Sequence, residues 1–508
     1  MFLLAIPLTL SAFTHLWNPI GYPYGPSNDE GIYIRRAMNI LEGQGPQESL
    51  LYDHPYFAQL FLAGVLGMIG YPHSLHPSLG DVHSIETLWL ILRVLTGLLA
   101  VVDTFLIYKI AECRYNRTVA LIAAILFAVT PLTWIIRRVW LESIQLPFLL
   151  CSILFAIHSK KNLLEKNKFK NKQHILLVLL SGISLGLAIF TKIPGFTMII
   201  VVGFLIYKNN TEKLKTLGLW FMPVVLIPLI WPIYAIYVNE FNLWLNGIYF
   251  QTHRGAQTLF ETIKYDFQID SILISLGIVG LVFVAIKKDI FPLLWAIPFL
   301  ALLYYAGFVS YWHLIPLVPI LCIASAILIE NLWKTINVKG VGQIILFSII
   351  SGIGIFVGLL NMTEAMITSD NSSHFAAATF VSQYLYDNAN YKNKTILISN
   401  PFYSWIPRYV FHLNNYQIID YYDNIAIKAE RVVFIVDPEW RYRLTHHMVG
   451  DNMEKNFYLY SKKEIATFDG ISIYEYDLQN YRKTTEVENP SGLMNKLVRY
   501  NNITSPNR

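Results

Sequence analysis

An acidic pair, Asp29-Glu30, follows an apolar N-terminal segment, and Asp53-His54 comes later in the same polar loop. A carboxylate there can act as a general base toward an acceptor hydroxyl or amine, or bind a divalent cation beside a phosphate. The alternative is an acidic first turn that suits the helix dipole. Asp53 and His54 add a second acidic group and a metal or phosphate ligand on the same aqueous side. We therefore expect chemistry at a membrane surface.

Further charges interrupt later apolar segments. The Arg137-Arg138 pair suits a phosphate or pyrophosphate, although the four-residue spacing of Arg138 and Glu142 equally suits a structural pair on one helix. Lys192 lies between two apolar stretches, where it either neutralises a lipid phosphate or snorkels from a helix end. Charges at such places usually turn toward a partner or a cavity.

Three other residues complete the candidates. His253, Arg254 and His313 suit phosphate or metal binding, with packing as the alternative for each. We assign two sets from these residues. The phosphate set is His54, Arg137, Arg138, Lys192, His253 and Arg254, and the metal set, for a divalent cation, is Asp53, Glu142 and His313.

The composition indicates an integral membrane protein. Of 508 residues, 54% are hydrophobic and 14% are charged, too apolar a chain to bury its side chains in water-soluble cores. The net charge of +5 comes from lysines spread over short loops, which argues against a nucleic-acid partner. The three cysteines form no readable disulfide framework or thiolate metal site.

Apolar stretches predict about eleven transmembrane helices. They lie near 1–17, 85–111, 118–135, 141–158, 174–190, 194–207, 217–238, 270–286, 290–308, 312–330 and 341–361. This assignment puts the lysine-rich loops on one side, which the positive-inside rule makes cytoplasmic. The N-terminus is then cytoplasmic, whereas the first outer loop, 18–84, and the tail, 362–508, face outward.

The polar regions also carry local structure signals. An amphipathic helix is predicted at Asn28–Leu41 with a Ser27 or Asn28 cap, and a second interfacial helix at Tyr56–Tyr71. Beyond 362, three strands are predicted together with helices near 374–387 and 402–412, which indicates an α/β domain. The strands are Thr395–Ser399, Arg431–Asp437 and Ile471–Tyr476. We therefore predict a helical membrane module, 1–361, and an extracytoplasmic α/β domain, 362–508.

This arrangement resembles the GT-C glycosyltransferases of the protein O-mannosyltransferase and undecaprenyl-phosphate aminoarabinose transferase kind. The resemblance covers about residues 1–330. The matching motifs are Asn28-Asp29-Glu30-Gly-Ile-Tyr33 with Ala37 and Leu41-Glu-Gly43, Asp53-His54-Pro55-Tyr56, Arg93, Glu142-Ser143, Thr191-Lys192 and Tyr311-Trp-His313-Leu-Ile-Pro316-Leu-Val-Pro319.

The resemblance implies a bundle of about eleven to thirteen helices and a polyprenyl-phosphate-linked sugar donor. It implies that Asp29 is the catalytic carboxylate, that Glu30 completes the motif, and that His54 meets the donor phosphate. It also places Asp53 at a position where some relatives bind a metal. The sequence departs from the pattern at Tyr56, where a second proline is common, and at Glu142, where many relatives carry Asp.

We therefore predict an inverting transferase that moves a sugar from a polyprenyl phosphate to a protein, glycan or lipid acceptor at the outer face of the cell membrane. One alternative is a transporter or flippase for a lipid-linked or anionic substrate, and another is a non-catalytic bundle that displays the C-terminal domain. A transporter is expected to carry midplane charges or two related halves. Most candidate residues here lie at the outer rim of the predicted spans.

Overall fold

The computed structural model describes residues 2–47, 52–160, 168–253, 258–306, 309–335, 356–388, 395–414, 416–420, 430–445 and 462–477. The chain divides into two compact units. The helical unit comprises Met1–Tyr24, Tyr33–Ser74 and Thr87–Asp370, and the sheet-containing unit comprises Gly25–Ile32, Leu75–Glu86 and Asn371–Arg508. The short segment that carries Asp29 and Glu30 is thus part of the sheet-containing unit.

Helices follow one another along the first 335 residues. They are α1 (Phe2–Leu16), α2 (Asn28–Leu41), α3 (Phe57–Met68), α4 (Val82–Arg114), α5 (Arg117–Val129), α6 (Leu141–His158), α7 (Lys168–Thr191), α8 (Met198–Asn209), α9 (Lys213–Leu226), α10 (Ile230–Tyr237), α11 (Phe241–His253), α12 (Leu259–Ile269), α13 (Ser271–Ile286), α14 (Ile290–Tyr305) and α15 (Val318–Thr335). Short 3-10 helices cover His73–Leu75, Pro131–Arg137, Ile193–Thr197 and Tyr311–Leu317. Residues 356–368 are also helical.

Several of these helices suit a membrane. Within the described ranges, five helical segments are long and apolar enough to cross a bilayer, and a bent pair makes a sixth if it forms one span. Four shorter apolar helices accompany them, at Leu3–Leu16, Ile193–Asn209, Ser271–Ile286 and Ile290–Tyr305. The architecture agrees with a multi-pass membrane protein, but the number of eleven spans is not confirmed. The last predicted span, 341–361, falls largely outside the described residues.

The bent pair shows how sequence sets a break. Helix α5 begins at Arg117 because the side chain of Asn116 accepts hydrogen bonds from the next turn's backbone, at 2.9 and 3.0 Å. It ends before Pro131, which lacks a backbone donor, and a 3-10 helix continues to Arg137 at an angle of 67°. Residues 118–135, predicted as one span, are therefore an α-helix followed by a bent 3-10 helix. Arg137 is the last residue of that 3-10 helix.

The sheet-containing unit holds five described strands in the order β2-β1-β3-β5-β4. They are β1 (Thr395–Ser399), β2 (Gln417–Asp420), β3 (Arg431–Val436), β4 (Lys463–Phe468) and β5 (Ile471–Asp477). Strand β1 pairs in parallel with β2 and β3, whereas β5 is antiparallel to β3 and β4. The described part of 371–508 also holds the helices α16 (Ser372–Asp387), α17 (Ile406–Tyr409) and α18 (Pro438–Thr445).

Strands β1 and β3 are the centre of this sheet and are buried along nearly their whole length, as their continuous apolar sequences require. Ile396, Phe434 and Trp440 form part of the core around them. The three predicted strands and the helix near 374–387 are confirmed. Between 402 and 412 only Ile406–Tyr409 is α-helical, and β2 and β4 were not predicted.

Candidate active site

The acidic pair lies in the first turn of α2, and the turn is capped from within. The backbone N–H of Asp29 donates to Ser27 Oγ at 3.3 Å, and Glu30 Oε2 accepts from the backbone N–H of Ser27 at 3.1 Å. Ser27 thus accepts from a free N–H of the first turn, and Glu30 reaches back to the N–H of Ser27, as capping side chains at a helix start do. Glu30 is fully buried, whereas Asp29 is half-buried. Glu30 is therefore used in the helix cap, and Asp29 is the residue of the pair that has solvent-accessible surface.

Asp53 forms an ion pair with Arg36. Its two carboxylate oxygens lie 2.9 and 3.1 Å from the two terminal nitrogens of the guanidinium, a bidentate contact. Burial opposes the charge on Asp53, but Arg36 and His54 outweigh that cost and hold the pKa of this carboxyl below its usual range. Arg36 was not among the predicted site residues. Its place on the polar side of the amphipathic α2 was the available signal.

His54 follows this pair in the helical unit. Its backbone N–H donates to Asp53 Oδ1 at 2.9 Å, and its half-buried ring lies edge-on to Tyr33, with centroids 6.3 Å apart. His54 is therefore beside a carboxylate whose charge Arg36 already balances.

Glu142 and Lys192 form a buried ion pair with each other. Their side chains are 4% and 8% exposed, so water contributes little to the stability of either charge. Gln145 fixes the neighbouring main chain by donating to the carbonyls of Ala188 and Lys192 at 2.9 and 2.6 Å. One residue was predicted as a metal ligand and the other as a phosphate contact, but the structure joins them.

Arg137 is bonded to the main chain at the end of α1. It donates to the carbonyl oxygens of Thr14 at 2.7 Å, of Trp17, and of Asn18 at 3.3 Å. The last carbonyls of a helix lack partners within the helix, and a cation there also suits the dipole. The ring of Tyr22 packs 4.6 Å from the guanidinium. Both terminal nitrogens of Arg137, predicted to meet phosphate, are thus bonded to main-chain carbonyls.

Two more arginines hold the same turn, residues 17–24. Arg138 donates to the carbonyl of Tyr24 at 3.0 Å, with Trp134 and Trp140 rings 5.4 and 5.7 Å away. Arg93, 1% exposed, donates to the carbonyls of Pro19 and Ile20 at 3.2 and 3.1 Å. We call Arg93, Arg137 and Arg138 the arginine cluster.

The remaining candidates lie apart from these contacts. His253 is exposed at the end of α11, where its ring stacks on Tyr249 at 4.0 Å. Arg254 lies outside the described residues. The Nδ1 atom of His313 accepts from the backbone N–H of Ser310 at 2.9 Å and so caps the 3-10 helix Tyr311–Leu317.

The structure does not group the predicted metal ligands. Among the residues that it describes, no three His, Cys, Asp or Glu side chains come together as a metal site. Asp53 is paired with Arg36, Glu142 with Lys192, and His313 with a backbone N–H. These residues do not fit a divalent metal in the arrangement predicted.

The chain is similar to a protein-family model over part of its length and to solved structures over most of it. A family model described as dolichyl-phosphate-mannose-protein mannosyltransferase matches residues 46–256. Two structures of ArnT from Cupriavidus metallidurans are similar, one in the apo state (TM-score 0.58) and one bound to undecaprenyl phosphate (TM-score 0.56). Each is 11% identical and covers 93% of this chain and 97% of its own. The chain has the GT-C fold.

A solved structure of another protein is also similar to this chain. The Archaeoglobus fulgidus oligosaccharyltransferase in its apo form is 12% identical, with a TM-score of 0.58, and the alignment covers 93% of this chain and 74% of that one. No curated protein matches in a sequence comparison. The resemblance to GT-C glycosyltransferases that the motifs predicted is confirmed, and at these identities the structural likeness concerns the fold.

Proposed function

We propose that this protein is a membrane glycosyltransferase that moves a sugar from a polyprenyl-phosphate donor to an acceptor at the extracytoplasmic face. The match to the mannosyltransferase family model and the GT-C fold support the reaction class. Relatives of this fold were solved with undecaprenyl phosphate, and with an inhibitory peptide and a dolichol-phosphate, which supports a lipid-linked donor. The lysine distribution along the sequence supports the outward orientation.

The observation that carries the proposal is the difference in burial between Glu30 and Asp29. Glu30 is buried and bonded to the start of its own helix, whereas the adjacent Asp29 is half-buried. Asp29 accepts the proton of an acceptor hydroxyl or amine as the acceptor's lone pair attacks the anomeric carbon. The bond from that carbon to the phosphate oxygen breaks, and its electron pair leaves with the lipid phosphate. The anomeric configuration inverts.

The leaving phosphate requires a cation or a hydrogen-bond donor. Of the predicted group, Arg137 donates to main-chain carbonyls and Lys192 is paired with Glu142. His54, whose ring is half-buried, is the stronger candidate for this contact. Among the described residues, the predicted metal ligands Asp53, Glu142 and His313 are each bonded to other groups, so no step is assigned to a metal. A metal requirement is checked by dialysis against EDTA followed by re-addition of Mg²⁺ or Mn²⁺.

The decisive experiment replaces Asp29 with Asn in the full-length protein, reconstituted in nanodiscs. Polyprenyl-phosphate donors carrying mannose, glucose or aminoarabinose are supplied with protein, glycan and lipid acceptors, and release of polyprenyl phosphate is measured. Loss of a general base lowers kcat by about 10²–10⁴-fold. The control is Asp469→Asn, a change at an exposed position of the same unit, which keeps its activity. Equal turnover by Asp29→Asn and the unmodified protein refutes the assignment of Asp29 as the general base. Absence of turnover by the unmodified protein with every donor refutes the proposed reaction.

A further inference from the structure

We infer that Glu439, more than 400 residues away in sequence, is a positioning residue for Asp29. This inference rests on the proposed function. Asn28, which directly precedes Asp29, donates from Nδ2 to Glu439 Oε1 at 2.8 Å. Asn28 is 6% exposed and the Glu439 side chain 33% exposed, so the bond is shielded from water on the Asn28 side. Both residues belong to the sheet-containing unit.

The carboxylate of Glu439 is itself held from two further directions. Arg443, one turn later in α18, donates from Nε and Nη2 to Glu439 Oε1 at 3.1 and 2.8 Å. Asn400 donates from Nδ2 to Glu439 Oε2 at 3.2 Å. The carboxylate cannot rotate without breaking one of these bonds, so it presents a fixed acceptor to Asn28.

These contacts trace back to the centre of the sheet. Asn400 follows β1 and Asp437 follows β3, so they meet where two adjacent parallel strands end. Asn400 Nδ2 also donates to Asp437 Oδ2 at 3.0 Å, and Asp437 Oδ1 accepts from the N–H of Trp440 at 2.7 Å. Both side chains are almost fully buried. The position of Glu439 is thus set by the strands through a satisfied polar network.

The first turn of α2 also packs against the main chain after β1. A Cβ atom on Gly31 would lie 2.5 Å from the carbonyl oxygen of Pro401 and 2.7 Å from the nitrogen of Phe402, so only glycine fits. On the other side of the turn, the N–H of Gly25 donates to Asn371 Oδ1 at 2.8 Å. The sheet-containing unit therefore holds this segment before, within and after the turn.

Asp29 lies between the two contacts that Asn28 and Gly31 make. A catalytic group must be held within about 0.5 Å of its productive geometry, and a displacement of about 1 Å costs about 10²-fold in rate. Loss of the bond between Asn28 and Glu439 lets the turn shift. We expect a lower kcat with little change in the KM for the donor.

The test moves one charge between the two positions. Asn28→Asp places a second carboxylate against Glu439, and we expect kcat to fall by about 10–100-fold. The double variant Asn28→Asp/Glu439→Gln restores the original total charge and leaves Arg443 beside a single carboxylate. We expect it to recover activity to within about threefold, as coupled neighbours do. The donor that gives the highest turnover with the unmodified protein is the probe, with Asp469→Asn as the control.

The outcomes separate the two proposals. A drop in kcat that the double variant rescues, at an unchanged donor KM, supports the positioning role. Full activity of Asn28→Asp, or a drop that the double variant does not rescue, overturns it even when Asp29→Asn is inactive. Full activity of Asp29→Asn refutes the catalytic assignment of Asp29 instead, and absence of turnover by the unmodified protein with every donor overturns the proposed reaction. If Asn28→Asp does not fold, Asn28→Ala removes the same bond without adding charge, and unchanged kcat in that variant overturns the role.

Discussion

Two polar clusters, the arginine cluster in the helical unit and the contacts around Glu439 in the sheet-containing unit, are held in different ways. In the helical unit, the arginine cluster donates to main-chain carbonyls of the turn 17–24. In the sheet-containing unit, Asn400, Asp437 and Glu439 form bonds between side chains, which end on Asn28. Main-chain carbonyls accept hydrogen bonds whatever the side chains of the turn are. The contacts around Glu439 instead require a particular side chain at each position. Substitutions in the first region should therefore cost stability, and those in the second should cost catalytic geometry.

The largest effect on stability is expected at the buried ion pair. Lys192→Met leaves Glu142 as an uncompensated buried charge, and we expect a loss of about 3–5 kcal/mol. The double variant Lys192→Met/Glu142→Leu removes both charges and should regain most of that loss. The melting temperature of the protein in nanodiscs is measured, followed by turnover of the folded double variant. An inactive double variant with the original stability would show that the Glu142–Lys192 pair takes part in the reaction.

The next effect is expected at the arginine cluster. Arg137→Met leaves the carbonyls at the end of α1 without their donors, and each unsatisfied buried group costs about 1–3 kcal/mol. Arg137→Lys keeps the charge but not the planar fork, so it should be intermediate in stability. Melting temperature and donor KM are compared. A raised KM with unchanged melting would instead favour the phosphate contact predicted from the sequence.

Two carboxyls, Asp53 in the helical unit and Asp437 in the sheet-containing unit, are expected to change stability with pH in opposite directions. The depressed pKa of Asp53 contributes stability that is lost as the pH falls through its folded-state value, because the unfolded chain takes up the proton first. Burial raises the pKa of Asp437 to about 7, so its contribution is full below its ordinary value of 3.8 and declines as the pH rises toward 7.

We expect changes of a few degrees in melting temperature from each of these carboxyls. Asp53→Asn should remove the acid-side dependence, and Asp437→Asn should remove the dependence between pH 4 and 7. Each variant serves as the control for the other. The same slope in both variants would contradict the assignment.

The smallest effect is expected from Glu30→Gln. The amide oxygen of Gln still accepts from the N–H of Ser27, so the cap is kept and the cost stays below the value of about 1 kcal/mol for a lost cap. We expect kcat to remain within about threefold, in contrast to the 10²–10⁴-fold loss at Asp29. A similar loss at both positions would make Glu30 a participant in the reaction.

Features governed by neighbours in sequence could be predicted. Helix α2 has the predicted bounds, Asn28–Leu41, because its amphipathic pattern and the Ser27 cap are local signals. Strands β1, β3 and β5 were found because apolar runs bounded by polar residues are also local. The break at Thr130-Pro131 was missed because the apolar run continues across it. The family motifs led correctly to the GT-C fold.

Partners distant in sequence could not be predicted. Glu439 lies 411 residues from Asn28, and nothing in either local sequence indicates the other. The partners of Arg137 are main-chain carbonyls, which leave no trace in residue type. The sequence therefore indicated that the Arg137 charge needs a partner, but it did not indicate that the partners are uncharged main-chain carbonyls. Residues 25–32, which lie within the predicted module 1–361, form one compact unit with the sheet through such distant contacts.

The separation between Asn28 and Glu439 also sets an order of events during synthesis. Glu439 is translated 411 residues after Asn28, which at about 5–20 residues per second takes about 20–80 s. Until then, the turn that carries Asp29 lacks the hydrogen bond from Asn28 to Glu439. Under the proposed function, Asp29 therefore reaches its productive position only after the sheet has been made and has folded, although Asp29 itself is synthesised early.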